Sequence, residues 1–186
     1  MKYWKRIDAG DFKSYTKKFL RYYIENQDSC FIQPDYVKSI SLKTEKMDEV
    51  LSLIPEMKDG LAKFGPINEF IVIALLKPYR GTGPIHVDHI LGLNEGVQAR
   101  INFPLWNCEG TKTAFYELTE EEYKLHITKN GGAKSWPNWC GEKFIPITEM
   151  ELNQPTIIRT NVPHAIRCFF NDFPRISLSI SFKEDV

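Results

Sequence analysis

The side chains in this sequence best suited to chemistry are a few histidines, acids and arginines, and their spacing is informative. His86-Val87-Asp88 puts an imidazole and a carboxylate two residues apart. On a strand such positions point to one face, so both could reach the same metal ion. Alone the pair is weak, because His-x-Asp arises often by chance and a turn histidine beside an acid is the plainer reading. His164, in Asn161-Val162-Pro163-His164, supplies a further ligand from a distant segment. Two histidines and a carboxylate on one side of a metal form the facial set of non-haem iron(II) sites, with positions left open for substrate and dioxygen. Closed zinc sites use four protein ligands, commonly thiolates. The cysteines here, Cys30, Cys108, Cys140 and Cys168, are scattered and contain no CxxC pair.

Ten residues separate His164 from Arg175, which opens Arg175-Ile176-Ser177-Leu178-Ser179-Ile180-Ser181-Phe182. Strand alternation sends Ile176, Leu178, Ile180 and Phe182 to one face and Arg175, Ser177, Ser179 and Ser181 to the other. An arginine with a serine two places on suits an anionic ligand, since the planar guanidinium binds a carboxylate through parallel charge-assisted hydrogen bonds. Arg175 and Ser177 are therefore expected to line a cavity. For Ser179 and Ser181 the expectation is a face that meets solvent, as one side of an antiparallel sheet often does. Arg100-Ile101-Asn102-Phe103-Pro104-Leu105 alternates in the same way and sets Arg100 beside Asn102. For Arg100, a salt bridge at a barrel mouth stands level with a ligand contact.

The remaining candidates read as structural. His89 faces away from Asp88 by alternation, and His126 lies in a charged, loop-like stretch. Thr113 and Tyr116 could line the cavity or serve packing. No phosphate-binding GxxxxGK, GxSxG elbow or dinucleotide fingerprint is present.

These groups must be carried by a scaffold, and its outline is legible. Asp11 can cap a helix in which Phe12, Tyr15, Phe19, Tyr22 and Tyr23 recur at helical spacing. Further helices are expected over residues 43–54 and, opened by Pro55, 55–64, before Gly65-Pro66 breaks the pattern. Strand-like pieces then follow at residues 69–76, 85–90, 97–105, 112–118, 156–160, 165–169 and 175–182. Residues 119–154 read as a long ordered loop containing Gly131-Gly132 and Trp136-Pro137-Asn138-Trp139. Helices first and short strands after predict an α+β, mainly β fold, with helices outside a β-sandwich or barrel. One domain over residues 1–186 is expected, with residues 1–66 as a helical layer and 67–186 as the core.

Composition narrows the function classes. Lys plus Arg and Asp plus Glu both number 24, so no global field draws the chain to nucleic acid or an anionic membrane. Hydrophobic residues at 42% and charged residues at 26% are ordinary for a globular protein. The longest apolar run, residues 70–76, is too short to span a bilayer, which takes about 20 residues. Residues 1–10 lack the apolar run of an export signal, so free thiols and a cytoplasmic location are expected.

His-x-Asp, a distant His, and an Arg ten residues on followed by x-Ser together resemble the Fe(II)/2-oxoglutarate-dependent dioxygenase superfamily, over residues 69–182. The resemblance implies a double-stranded β-helix (jelly-roll, cupin-like) core with N-terminal helices packed outside. It implies that His86, Asp88 and His164 bind iron, and that Arg175 and Ser177 hold the distal carboxylate of 2-oxoglutarate. Pro155-Thr156-Ile157-Ile158-Arg159 is similar to the family's strand before the distal histidine. Lys77-Pro78-Tyr79 and the turn Arg80-Gly81-Thr82-Gly83 resemble its approach to the first ligand. Arg100 and Asn102 are similar to a pair in the aspartyl/asparaginyl hydroxylase-like branch, although that branch often lacks the carboxylate ligand that Asp88 supplies here. That likeness gives Asn102 a contact with 2-oxoglutarate, and gives Arg100 a contact with it or with an acidic group of the substrate. A prolyl hydroxylase-like branch is the other expectation. The implied activity is hydroxylation of an amino acid, peptidyl residue or small metabolite with dioxygen, and the segment from Trp136 to Trp139 is placed to be a lid. The alternative is a cupin-like metal- or small-molecule-binding jelly roll, which has no need for a cation at the depth expected of Arg175.

Overall fold

The computed structural model describes residues 2–32, 39–75, 81–82, 85–87, 99–119, 121, 144–168 and 175–183. The first helix, α1 (Phe12–Cys30), starts where Asp11 accepts a hydrogen bond from the Ser14 amide at 3.3 Å. Its apolar stripe is buried, with Tyr15, Phe19, Tyr22 and Tyr23 all in the core. Two further helices, α2 (Thr44–Leu53) and α3 (Pro55–Leu61), follow, and a single 3-10 turn (Ala62–Phe64) closes the run. Pro55 sits in the first turn of α3, where a missing amide proton costs nothing.

The strands are β1 (Trp4–Arg6), β2 (Phe31–Ile32), β3 (Ser39–Leu42), β4 (Ile67–Leu75), β5 (Gly81–Thr82), β6 (Ala99–Trp106), β7 (Thr111–Phe115), β8 (Thr148–Glu151), β9 (Thr156–Arg159), β10 (His164–Cys168) and β11 (Arg175–Phe182). They form two antiparallel sheets, ordered β1-β9-β6-β11-β4-β3-β2 and β5-β10-β7-β8. One core lies between the helices and the larger sheet: Phe70, Val72, Ile101, Phe103, Ile157, Leu178 and Ile180 meet Tyr15, Phe19, Val50 and Met57. The other face of the larger sheet looks toward the smaller one. There Phe115, Met150 and Leu152 meet Ile158 and Cys108, while Ala114, Tyr116 and Ala165 turn to the smaller sheet's outer side with Ile85 and Val87.

The structure departs from the sequence expectation in three places. Residues 1–66 are not only helical, since β1, β2 and β3 lie within them. β1 extends an edge by pairing with β9, and β3 pairs with β4, so long-range partners decide what local propensity left unmarked. The stretch 119–154 does not stay irregular to its end: β8 pairs with β7 from Thr148 to Glu151. Ser179 and Ser181 do not meet solvent; they are 2% and 0% exposed, because the second sheet covers their face.

Candidate functional site

β10 begins at His164, and His86 pairs with it as an isolated antiparallel bridge. The two backbones exchange hydrogen bonds of 2.8 and 2.9 Å. Directly opposed residues on antiparallel strands turn their side chains to one face, and the two imidazole rings lie 4.4 Å apart between centres at 50°. His164 is 5% exposed. Its Nδ1 lies 2.8 Å from the Val162 carbonyl. A carbonyl only accepts, so Nδ1 carries a proton, which leaves Nε2 as the nitrogen that would bind a metal. Phe115 stands opposite His164 in the ladder with its ring centre 6.1 Å away, which fixes the other flank.

Arg175 enters the same space from the larger sheet. It is 2% exposed, and its Nε donates to Thr111 Oγ1 at 3.0 Å and its Nη1 to Ser177 Oγ at 3.0 Å. Thr111 in turn donates to the Cys108 carbonyl at 2.8 Å, and the Cys108 thiol donates to the Ile176 carbonyl at 3.1 Å. The turn that presents Thr111 runs through two left-handed residues, Asn107 (φ 46°) and Gly110 (φ 71°), and glycine takes that conformation at no steric cost. A buried guanidinium held by two neutral oxygens keeps its charge uncompensated by them, and the rest of its fork remains for an anion. Thr111 and Phe115 share a face of β7 four residues apart, so the arginine brace and the histidine pair are separated by about 13 Å along that strand.

The wall between these ends is polar. Ser179 pairs with Asn102 and Asn102 with Thr156, while Ser181 pairs with Glu69. Arg100 and Asn102 are each 7% exposed. Arg100 lies 3.1 Å from Glu69 Oε2 through one terminal nitrogen, so the salt bridge foreseen as one of its alternatives is present. Thr113 is buried on the inner face, whereas Tyr116 packs in the outer cluster.

The structure thus brings His86 and His164 together, with Arg175, Ser177, Asn102 and Arg100 facing the same inter-sheet space. Asp88 lies outside the described residues, as do His89, His126, Trp136, Trp139, Cys140 and the segment 77–80. Among the described residues no three His, Cys, Asp or Glu side chains gather in metal-binding range. No described helix is long and apolar enough to cross a membrane. Thr111 and Glu69 were not singled out in the sequence. For Thr111 the signal was the alternation Thr111, Thr113, Phe115 after Gly110; for Glu69 it was only the register of β4 against β11, which no local pattern carries.

No family model matches the sequence, and no curated protein matches it. Solved structures do. The non-heme alpha ketoglutarate dependent carbocyclase SnoK from nogalamycin biosynthesis is 14% identical, with a TM-score of 0.60 over 96% of this chain and 78% of that one. The epimerase SnoN, in complex with Fe3+, alpha ketoglutarate and nogalamycin RO, is 10% identical with a TM-score of 0.56 over 96% and 77%. HygX from Streptomyces hygroscopicus, with nickel, 2-oxoglutarate and hygromycin B bound, is 10% identical with a TM-score of 0.52 over 96% and 81%. At such identities the likeness speaks for architecture. This chain has the fold of the iron- and 2-oxoglutarate-dependent oxygenases.

Proposed function

We propose that this protein is a non-haem iron(II), 2-oxoglutarate-dependent oxygenase that hydroxylates a small molecule. The observation that carries this reading is the placement of His86 and His164 side by side in the same inter-sheet space as a buried, braced Arg175. The strand orders β9-β6-β11-β4 and β5-β10-β7-β8 support reading the core as a double-stranded β-helix, with His164 on the smaller sheet and His86 bridged to it. The donor chemistry fits the group: two imidazoles suit iron, and a carboxylate from Asp88, two residues after His86, would complete the facial set.

In this reading His86, Asp88 and His164 hold iron(II). Arg175 takes the distal carboxylate of 2-oxoglutarate, and Ser177 keeps the guanidinium in the plane that a carboxylate needs. Asn102 would contact the cosubstrate's other end. The bound metal would supply dioxygen activation coupled to decarboxylation of 2-oxoglutarate to succinate. The chain's own part is to orient both substrates and to keep water from the site, which the cluster of Phe115 and Ile158 would flank. The substrates open at the outset were an amino acid, a peptidyl residue or a small metabolite. Pairing of Arg100 with Glu69 weakens the case for an acidic amino-acid substrate and favours the metabolite.

The test combines metal binding with turnover. Anaerobic iron(II) binding should fall by more than about 100-fold, the upper cost of an outer-shell loss, in His86→Ala, Asp88→Ala and His164→Ala. Wild-type protein should release succinate slowly from 2-oxoglutarate under air, and these variants should not. Unchanged iron affinity in both histidine variants sinks the reading.

A further inference from the structure

What holds His164 leads back to the other end of the chain. Phe115, opposite His164 in the ladder and fully buried, has its ring centre 6.1 Å from the imidazole. The same Phe115 ring stands 5.7 Å from the ring of Tyr3, tilted by 39°. Val162, whose carbonyl lies 2.8 Å from His164 Nδ1, packs against the cluster of Phe115, Met150, Leu152 and Ile158, as do Tyr3 and Trp4. The aromatic flank of His164 and the residue that carries its backbone acceptor are therefore backed by one cluster, to which Tyr3 and Trp4 belong.

Tyr3 is itself tied down. Its carbonyl accepts from the Arg159 amide at 2.8 Å, and the next residue, Trp4, pairs with Ile158. Its hydroxyl donates to Glu117 Oε1 at 2.8 Å at an exposed position, where the bond only replaces one to water. The ring is thus the part of Tyr3 that bears on the site. A metal ligand must be held within about 0.5 Å of its working position by neighbours whose own rotamers are locked by packing. Without the Tyr3 ring, Phe115 loses packing on that flank, and a ring with space beside it tilts. We propose that Tyr3 is a positioning residue for His164, its ring fixing Phe115 and, with Trp4, supporting Val162. This assignment rests on the oxygenase reading for the metal that His164 would hold.

Cobalt(II) is the probe, because its visible absorption reports the geometry of its ligands. The full chain, Tyr3→Ala, Tyr3→Phe and Met57→Ala are each titrated anaerobically with cobalt(II), and melting is followed in the same samples. Met57 is fully buried in the core shared with the helices, so its variant measures what destabilisation alone does. Tyr3→Ala should bind cobalt about tenfold more weakly, as for loss of an outer support, and with a shifted absorption band. Tyr3→Phe should match wild type, because the ring contact remains. Met57→Ala should melt earlier yet keep both affinity and band. Tyr3→Leu takes the place of Tyr3→Ala if the alanine variant does not fold. The proposal is overturned if Tyr3→Ala keeps the wild-type affinity and band, if Met57→Ala changes them as much, or if Tyr3→Phe behaves as Tyr3→Ala does. Failure of the wild type to bind cobalt counts against the oxygenase reading instead. Tyr3 is then judged in the metal-free chain by the 1H–13C NMR signal of the His164 ring, assigned against His164→Gln. That signal should move in Tyr3→Ala and stay in Tyr3→Phe and Met57→Ala; an unmoved signal in all three overturns the positioning role.

Discussion

The guanidinium of Arg175 is held by two hydroxyls that come from different sheets, Thr111 on β7 and Ser177 on β11 itself. Removing the arginine and removing its brace should therefore read differently. Arg175→Ala should cost about 2–5 kcal/mol of 2-oxoglutarate binding, as for truncating one member of a buried charge pair, with iron(II) affinity unchanged in the same calorimetric titrations. A joint loss of both affinities would make Arg175 a folding residue. Thr111→Val keeps the shape and removes the hydroxyl that accepts from Arg175 and donates to the Cys108 carbonyl, so about 1 kcal/mol of 2-oxoglutarate affinity should go with the lost Arg175 bond, while Thr111→Ser restores it. If the valine variant binds as wild type does, the brace does not position the fork. The Cys108 thiol that steadies this corner is a free, buried thiol, so it should resist alkylation in the folded protein.

At the scale of elements, helix docking turns on one carbonyl. Ala9 O accepts from the Tyr15 hydroxyl at 2.9 Å, and a Cβ built on Gly60 of α3 would lie 3.0 Å from the same oxygen. Burial, with the Asp8 and Asp11 carboxylates nearby, pushes the Tyr15 phenol above its ordinary value, so it remains a donor at any working pH. Gly60→Ala should gain about 1 kcal/mol in helix propensity and lose about 1–3 kcal/mol to overpacking, because the carbonyl cannot retreat. Net destabilisation, read as a lower urea midpoint, is expected, and it should shrink in a Tyr15→Phe background where the carbonyl is released. A stabilised Gly60→Ala would show that the contact yields. This junction was invisible in the sequence, whereas the faces it serves were not. The stripe Tyr15, Phe19, Tyr22, Tyr23 and the alternation from Arg175 to Phe182 each repeat with the period of their element, and both emerged with the expected face buried. Short edge strands such as β1 and β3 carry too few residues to declare a period and exist only against their partners. Ser179 and Ser181 were misjudged for a related reason, since strand alternation reveals which residues share a face but not what covers it. His86 and His164 could be named as candidates from residue type and the family resemblance, while Glu69 entered only through register.

For the whole molecule, the site is assembled across two sheets, and ligands that bind it should stabilise the entire fold. Iron(II) or nickel(II) at about 100 times its dissociation constant should add about 2.7 kcal/mol, and each 1 kcal/mol is worth about 2–4 °C in a chain of this size. A rise of that order in the melting temperature with metal, and a further rise with 2-oxoglutarate, is expected; no shift with either would mean that neither binds the folded chain. The two sheets differ in what backs them. The large core takes its residues from the helical layer with its connecting segments and from the larger sheet, while β7 and β10 rest on two small clusters. Amide protons of β7 and β10 should therefore exchange with deuterated solvent through a cheaper partial opening than those of β4, β6 and β11. A ligand joining Arg175 on β11 to His164 on β10 would tie that opening to its own release, so saturating 2-oxoglutarate should slow deuterium uptake in β7 and β10 while leaving β4 nearly as it was.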